Sequence, residues 1–298
     1  MDWLDEFPSL SRKSLRELNK VIDTAYRNFS RSYGEQIEDF FDPLLQFLIW
    51  LEKLLLATPW PIIIIVLAAL SWFASRKWTV VTGVVISLLL IGFFGMWENT
   101  MRTLSIITVC TLVSIALGLP IGILMARSDR VQSAITPVLD VMQTMPSFVY
   151  LIPVVMLLGI GKVPGVIAVV IYAIPPMIRL TNLGIRQVDK AVLEASEASD
   201  AFGATGWQKL RRVQLPLALP SIFAGVNQTI MMSLAMVVIA SMIGVKGLGQ
   251  PVLKAITNQY FSMGLFNGLA IVALAIIFDR VSQNYGKRLQ KHRSGGLR

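Results

Sequence analysis

Long apolar runs alternate with short polar gaps through most of this chain, and the lengths of the runs predict membrane spans. Seven candidates stand out, at residues 60–75, 78–96, 103–126, 137–160, 164–180, 220–244 and 261–279. Each approaches the roughly 20 apolar residues that cross a bilayer as a helix. Ahead of them, residues 14–30 carry Leu15, Leu18, Ile22 and Ala25 at helical spacing. The denser run 43–57 is interrupted by Gln46, Glu52 and Lys53 and is too short to cross. It predicts an interfacial amphipathic helix on the membrane surface, with an eighth span as the alternative.

One polar island, 188–220, separates the fifth and sixth runs. Ala191, Ala195, Ala198 and Phe202 mark one helix face, and Glu194, Glu197 and Asp200 colour the other. Gly203 predicts the stop of that helix, since glycine accepts a left-handed terminal position. Thr205 with Gln208 three residues on is a capping-box pattern. It predicts a second short helix carrying Trp207 and Leu210, with Arg211 and Arg212 near its end and Pro216 closing it.

The order Glu197-Ala198-Ser199, three residues, Gly203, nine residues, Val213, one residue, Leu215-Pro216 resembles the EAA loop of ATP-binding-cassette importer permeases. Ser199 and Val213 depart from that pattern mildly. The stretches at 139–153, 171–185 and 237–250 resemble the permease subunits of glycine betaine/proline betaine/choline importers, and the likeness covers about 95–285. The resemblance implies an all-α polytopic membrane protein with the type I ABC importer (MetI-like) transmembrane fold. It implies Glu197, Ala198, Ser199, Gly203, Trp207, Leu215 and Pro216 as the ATPase-coupling surface. It also implies the partners: a second copy of the permease, two ATP-binding-cassette ATPase subunits and an extracytoplasmic substrate-binding protein. ATP and magnesium would be held by the ATPase, leaving no cofactor in this chain. Read this way, the chain divides into an extracytoplasmic polar tail with interfacial helix (1–58), two accessory helices (59–97), the permease domain (98–285) and a basic cytoplasmic tail (286–298).

Composition agrees with a chain that meets a lipid bilayer: 54% of residues are hydrophobic, only 15% are charged, and mean hydropathy is +0.64. A net charge of +9 raises nucleic-acid binding, but the basic residues fall in short gaps rather than in one patch with interleaved aromatics, so no nucleic-acid partner is expected. With the 188–220 loop inside, 16 basic residues lie in cytoplasmic gaps and 4 (Arg102, Lys162, Lys246, Lys254) in the opposite ones. That asymmetry predicts a multi-pass protein of the bacterial cytoplasmic membrane with its N-terminus outside and C-terminus inside. No apolar core follows Met1, so a cleavable signal is not expected. A single cysteine, Cys110, and a single histidine, His292, leave little for disulfide, zinc or triad chemistry. The nearest P-loop look-alike, Gly161-Lys162, is followed by Val163 and has Met156 where the first glycine belongs.

Polar and aromatic residues within the apolar runs nominate a pathway. Asp140, Gln143 and Thr144 share one helix face ahead of a Met145-Pro146 kink, followed by Phe148 and Tyr150. Asp140 has a second reading, as an ion pair with Arg179 at the headgroup level. Asn227 and Met231, beside Gln228 and Met232, are further pathway candidates. Pro175-Pro176 reads as a break that permits a hinge, or as simple bending. Phe148, Tyr150, Tyr172 and Trp207 form no aromatic cage in sequence. That suits an importer whose selection resides in the binding protein. Gly118 with Gly122, and Gly264 with Gly268, are small-xxx-small pairs. The competing function is an ion-coupled secondary transporter of small zwitterions, which would need repeated halves and several intramembrane ionisable residues.

Overall fold

The computed structural model describes residues 9–188 and 206–294. Among these every regular element is helical. The first helix, α1 (Arg12–Ala57), is a single rod of 46 residues that joins the two N-terminal segments expected to be separate. Ser11 starts it by accepting from the Ser14 amide at 3.2 Å. Gly34 and Pro43 both lie inside it and are accommodated. A Cβ on Gly34 would lie 3.3 Å from the Leu157 carbonyl, so the glycine lets another backbone approach. The contact is built around α6 (Leu151–Leu158). Ser30 donates to the carbonyls of Met156 and Leu157, which as a helix C-terminus lack intrahelical partners. Tyr26 donates to Pro153 O, and partial burial pushes its phenol above the ordinary tyrosine value, so it stays a donor.

Among the described residues four single helices are long and apolar enough to cross a membrane, or up to six spans if each of two bent helix pairs counts as one. The four are α4 (Trp97–Arg127), α7 (Lys162–Arg186), the helix spanning Trp207–Ile243, and α10 (Phe261–Ser294) over its first 26 residues. The α2 (Trp60–Ser75) and α3 (Trp78–Phe93) helices are 16 residues each, below the usual span length, and α2 meets α1 at 111°. The expected span 137–160 is broken. In its place α5 (Asp129–Thr144) ends at an extended Met145, and a 3-10 turn at Ser147–Tyr150 leads into α6 at 111° to α5. The cause is local: the ring of Pro146 excludes the helical conformation from Met145 and removes an amide donor.

The helix α7 is the hub. It is packed between α4 and α8 (Leu215–Ala240), and 72% of its apolar window is buried, against 17% for α10 at the periphery. Pro175 and Pro176 are buried inside it without interrupting the helix, so no hinge break is seen there. Glycines set the close seams. A Cβ at Gly122 would sit 2.6 Å from Cβ of Thr181 and 2.8 Å from the Ile178 carbonyl. One at Gly184 would meet Ser221 Cβ at 2.6 Å. The second small-residue pair is uneven: a Cβ at Gly264 would meet that of Ala255 at 3.0 Å, whereas Gly268 has nothing within 4 Å.

Two further departures bear on function. The expected short helix closed by Pro216 does not close. A turn at Gly206–Lys209 passes through a π turn at Leu210–Gln214 directly into α8. The wider turn, with Leu215 N–H reaching Leu210 O, accommodates Pro216 without a break. Beyond α8, a tight loop leads to α9 (Gly249–Asn258), an element the hydropathy pattern did not announce. There Leu248 N–H donates to Thr103 Oγ1 at 2.9 Å, and Gly247, at φ 153°, lies where a Cβ would strike that same oxygen at 2.6 Å.

Candidate coupling surface and translocation pathway

Of the predicted coupling residues, Glu197, Ala198, Ser199 and Gly203 lie outside the described residues, whereas Trp207, Leu215 and Pro216 lie within them. The two ends of the polar loop are nevertheless built. At its entry, Arg186 in the last turn of α7 donates to Met125 O at 2.8 Å and Asn182 Oδ1 at 3.1 Å, and its Nη1 lies 2.7 Å from Asp129 Oδ1. One guanidinium thereby joins the end of α7 to the end of α4 and the start of α5. Asp129 is exposed, so the ion pair itself contributes little and the carbonyl bond does the positioning.

At the exit, Trp207 is exposed and Leu210 is buried. Leu210 packs in a cluster with Met177, Ile185, Ala218 and Ile222, with Leu215 on its edge. The neighbouring Arg211 and Arg212 are exposed. A lone leucine in the sequence Gln-Lys-Leu-Arg-Arg was the available signal for this anchor. Arg186 was counted only as an orientation charge. Both ends of the loop are thereby fixed to α7, the entry also to α4 and α5 and the exit to α8, into which it leads without a joint.

The pathway candidates fall into two sets with different partners. On α5, Asp140 is paired with Arg179 of α7, and both side chains are more than a third exposed, which limits the pair to a small contribution. Gln143, Thr144, Pro146 and Phe148, on either side of the bend, are exposed. Tyr150 is buried instead: it donates to Met142 O across the bend and meets Tyr172 edge to face at 5.8 Å. The structure thus brings together two aromatics that looked unrelated in sequence, as packing that holds the α5–α6 turn.

On α8, Asn227 Nδ2 donates to Asp279 Oδ1 at 2.9 Å, and Asn227 Oδ1 accepts from Ser282 at 2.6 Å. Its bonds go to α10, away from the α5 set. Met231, one turn on, lines with Asn227 a groove of about 490 Å³ between α8 and α10. A third cluster, missed in sequence, lies at the opposite ends of the helices. Glu52 of α1, read there as an interrupting charge, is buried and receives Lys162 at 2.5 Å, with Arg102 at 3.7 Å.

Residues 118–291 match the family described as binding-protein-dependent transport system inner membrane component. The chain belongs to that family. The permease is 51% identical over 236 residues to the glycine betaine/proline betaine transport system permease protein ProW of Escherichia coli (strain K12), matching 79% of this chain and 66% of that one. It is 48% identical over 235 residues to the glycine betaine/carnitine transport permease protein GbuB of Listeria monocytogenes, covering 78% of this chain and 82% of the relative. It is also 42% identical over 267 residues to the glycine betaine transport system permease protein OpuAB of Bacillus subtilis (strain 168), covering 90% and 93%. The inward-facing MetNI methionine ABC transporter aligns with a TM-score of 0.57 at 20% identity, over 63% of this permease and 93% of that chain. That likeness establishes the fold, a MetI-like transmembrane domain. The family match begins inside α4, leaving α1 to α3 outside it.

Proposed function

We propose that this permease is the membrane-spanning subunit of an ATP-driven importer, working as a pair of copies with two ATPase subunits. The single observation that carries the reading is the clamped loop: Arg186 fixes its entry, Leu210 fixes its exit, and the exit continues as one helix into the bundle core. An ATPase gripping the EAA residues Glu197 to Gly203 therefore moves α8 directly. This is helix-in-groove recognition coupled to a bistable packing of helices. ATP and magnesium belong to the ATPase, and solute arrives from a separate extracytoplasmic binding protein.

The solute in this reading is a quaternary amine or related osmolyte: glycine betaine, proline betaine, choline or trimethylamine N-oxide. The names of the relatives support the class. Several are glycine betaine permeases, and a trimethylamine N-oxide permease of Ruegeria pomeroyi is 39% identical over 201 residues. The protein would sit in the bacterial cytoplasmic membrane with α1 outside and the C-terminal end of α10 inside. Co-purification with the partner ATPase and uptake of radiolabelled glycine betaine into proteoliposomes test the proposal. Uptake that needs an ion gradient and no ATPase would establish the secondary-transporter reading instead.

A further inference from the structure

The turn between α2 and α3 places two cations side by side in sequence, and they behave differently. Arg76 takes a left-handed conformation, and its guanidinium lies 5.9 Å from the Phe73 ring centroid. Lys77, which precedes the first turn of α3, has no carboxylate partner among the described residues and faces the last part of α10 that the apolar run covers. Between α3 and α10 runs a groove of about 410 Å³. Its polar end is lined by Lys77, Thr79, Arg280 and Asn284. Its other end is lined by Val80, Gly83, Val84, Ile276 and Ile277, with Ser87 as the single hydroxyl there.

Three features of the groove select its occupant. First, no acidic side chain lines it. The nearest carboxylate in sequence, Asp279, is occupied by Asn227 and Gln283. Arg280, like Lys77, has no ion pair among the described residues, so two positive charges share one mouth with hydroxyl and amide groups and without compensation. Second, the apolar end has room: a Cβ on Gly83 would meet nothing within 4 Å. Third, the groove lies at the periphery, between a short apolar helix and the least buried of the four spans, where lipid has access. An anion with a hydrocarbon tail fits this combination, and a free anion would leave the apolar half unfilled.

We propose that the groove between α3 and α10 binds an anionic glycerophospholipid of the cytoplasmic leaflet, its phosphate between Lys77 and Arg280 and an acyl chain along Gly83. The leaflet rests on the orientation given under the proposed function; the site itself does not. A lipid held there ties the accessory α2–α3 hairpin to α10, two elements that otherwise meet through few polar contacts. Basic pockets between membrane helices gain about 1 kcal/mol per cation from an anionic headgroup, about five-fold in affinity.

The test uses the purified full-length chain in detergent and native mass spectrometry, with phosphatidylglycerol and phosphatidylcholine of matched acyl chains as probes. Phosphatidylglycerol should be retained about 25-fold over phosphatidylcholine, and the Lys77→Gln/Arg280→Gln variant should lose that preference. Gly83→Leu should lower retention of both lipids by filling the acyl half. Equal retention of the two lipids by the natural chain, a preference that survives the double substitution, or full retention by Gly83→Leu would each overturn the proposal. Displacement of phosphatidylglycerol by millimolar inorganic phosphate would make it a free-phosphate site and overturn the lipid assignment. Should the double variant lose its monodisperse elution, Lys77→Gln alone, at an exposed position, should still lower the preference about five-fold. Detergent carries no sidedness, so these results are independent of the topology. Labelling of Lys77→Cys by an impermeant thiol reagent on intact cells would overturn only the leaflet.

Discussion

The carboxylate of Glu52 lies 2.5 Å from the ammonium of Lys162, tying the end of α1 to the first residue of the hub helix α7 across 110 positions of sequence. Both groups are largely withdrawn from water, and Arg102 of α4 adds a second positive neighbour at 3.7 Å. Removing the charge leaves two cations facing a neutral amide in a partly dry site. Glu52→Gln should therefore cost about 1–2 kcal/mol, a fall of about 3–6 °C in the thermal midpoint of the detergent-solubilised chain. Glu52→Gln in a Lys162→Gln background should cost less than on its own. An additive pair of effects would show that the contact is incidental.

The seam between α4 and α7 makes a sharper prediction. Gly122→Val places a branched side chain where even a Cβ would overlap Thr181 and the Ile178 carbonyl. It should destabilise by about 2–3 kcal/mol or prevent accumulation in the membrane. Gly268→Ala, with open space around it, should change the thermal midpoint by less than about 2 °C.

How much of this was legible in the sequence differs by kind of feature. Apolar runs announced α2, α3, α4, α7, α8 and α10, because hydropathy and length are local properties. Met145-Pro146 was seen as a kink, but the angle it imposes depends on what α6 packs against, which a local pattern does not contain. Residues 14–30 and 43–57 were read as separate segments, whereas α1 runs through both, with Gly34 at a close approach to another backbone. The partner at Gly34 is the Leu157 backbone, more than a hundred residues away. The same reason hid Arg186 and Glu52: each looked like a charge near a membrane boundary, and only the tertiary structure supplies Met125 O, Asp129, Lys162 and Arg102. In the pathway, Asp140 did pair with Arg179, the second of the two readings offered for it.

Leu210 gives a test of coupling that does not depend on the EAA residues. Leu210→Ala opens a cavity in the cluster of Met177, Ile185, Ala218 and Ile222, while leaving exposed Trp207 and the loop chemistry untouched. The expected result is retained co-purification with the ATPase and an uptake rate lowered by about ten-fold. Glu197→Lys should do the opposite, losing ATPase association with normal membrane insertion. Normal uptake by both variants would remove the basis for the coupling assignment.

Topology is open to direct measurement. Single cysteines at Ser14, Gln208 and Ser294 in a Cys110→Ala background, probed with an impermeant thiol reagent on intact cells, should label at Ser14 alone. The native thiol is buried, so its removal should cost little function. Labelling at Gln208 would be incompatible with a cytoplasmic ATPase partner. Protection at all three sites would place α1 inside.

The helix that leaves the polar loop runs from Trp207 to Ile243, 37 residues without a joint. At 1.5 Å per residue that is a rod of about 55 Å. Leu210, its first buried residue, sits within one turn of the loop end. Rotating such a rod by about 5° around that end carries the far end through about 5 Å, roughly one helical turn. Travel of that size at the far end therefore needs only a slight change of angle at the loop. The seams at Gly184 and Gly225, where α7 touches α8 most closely, oblige the hub helix to turn with it.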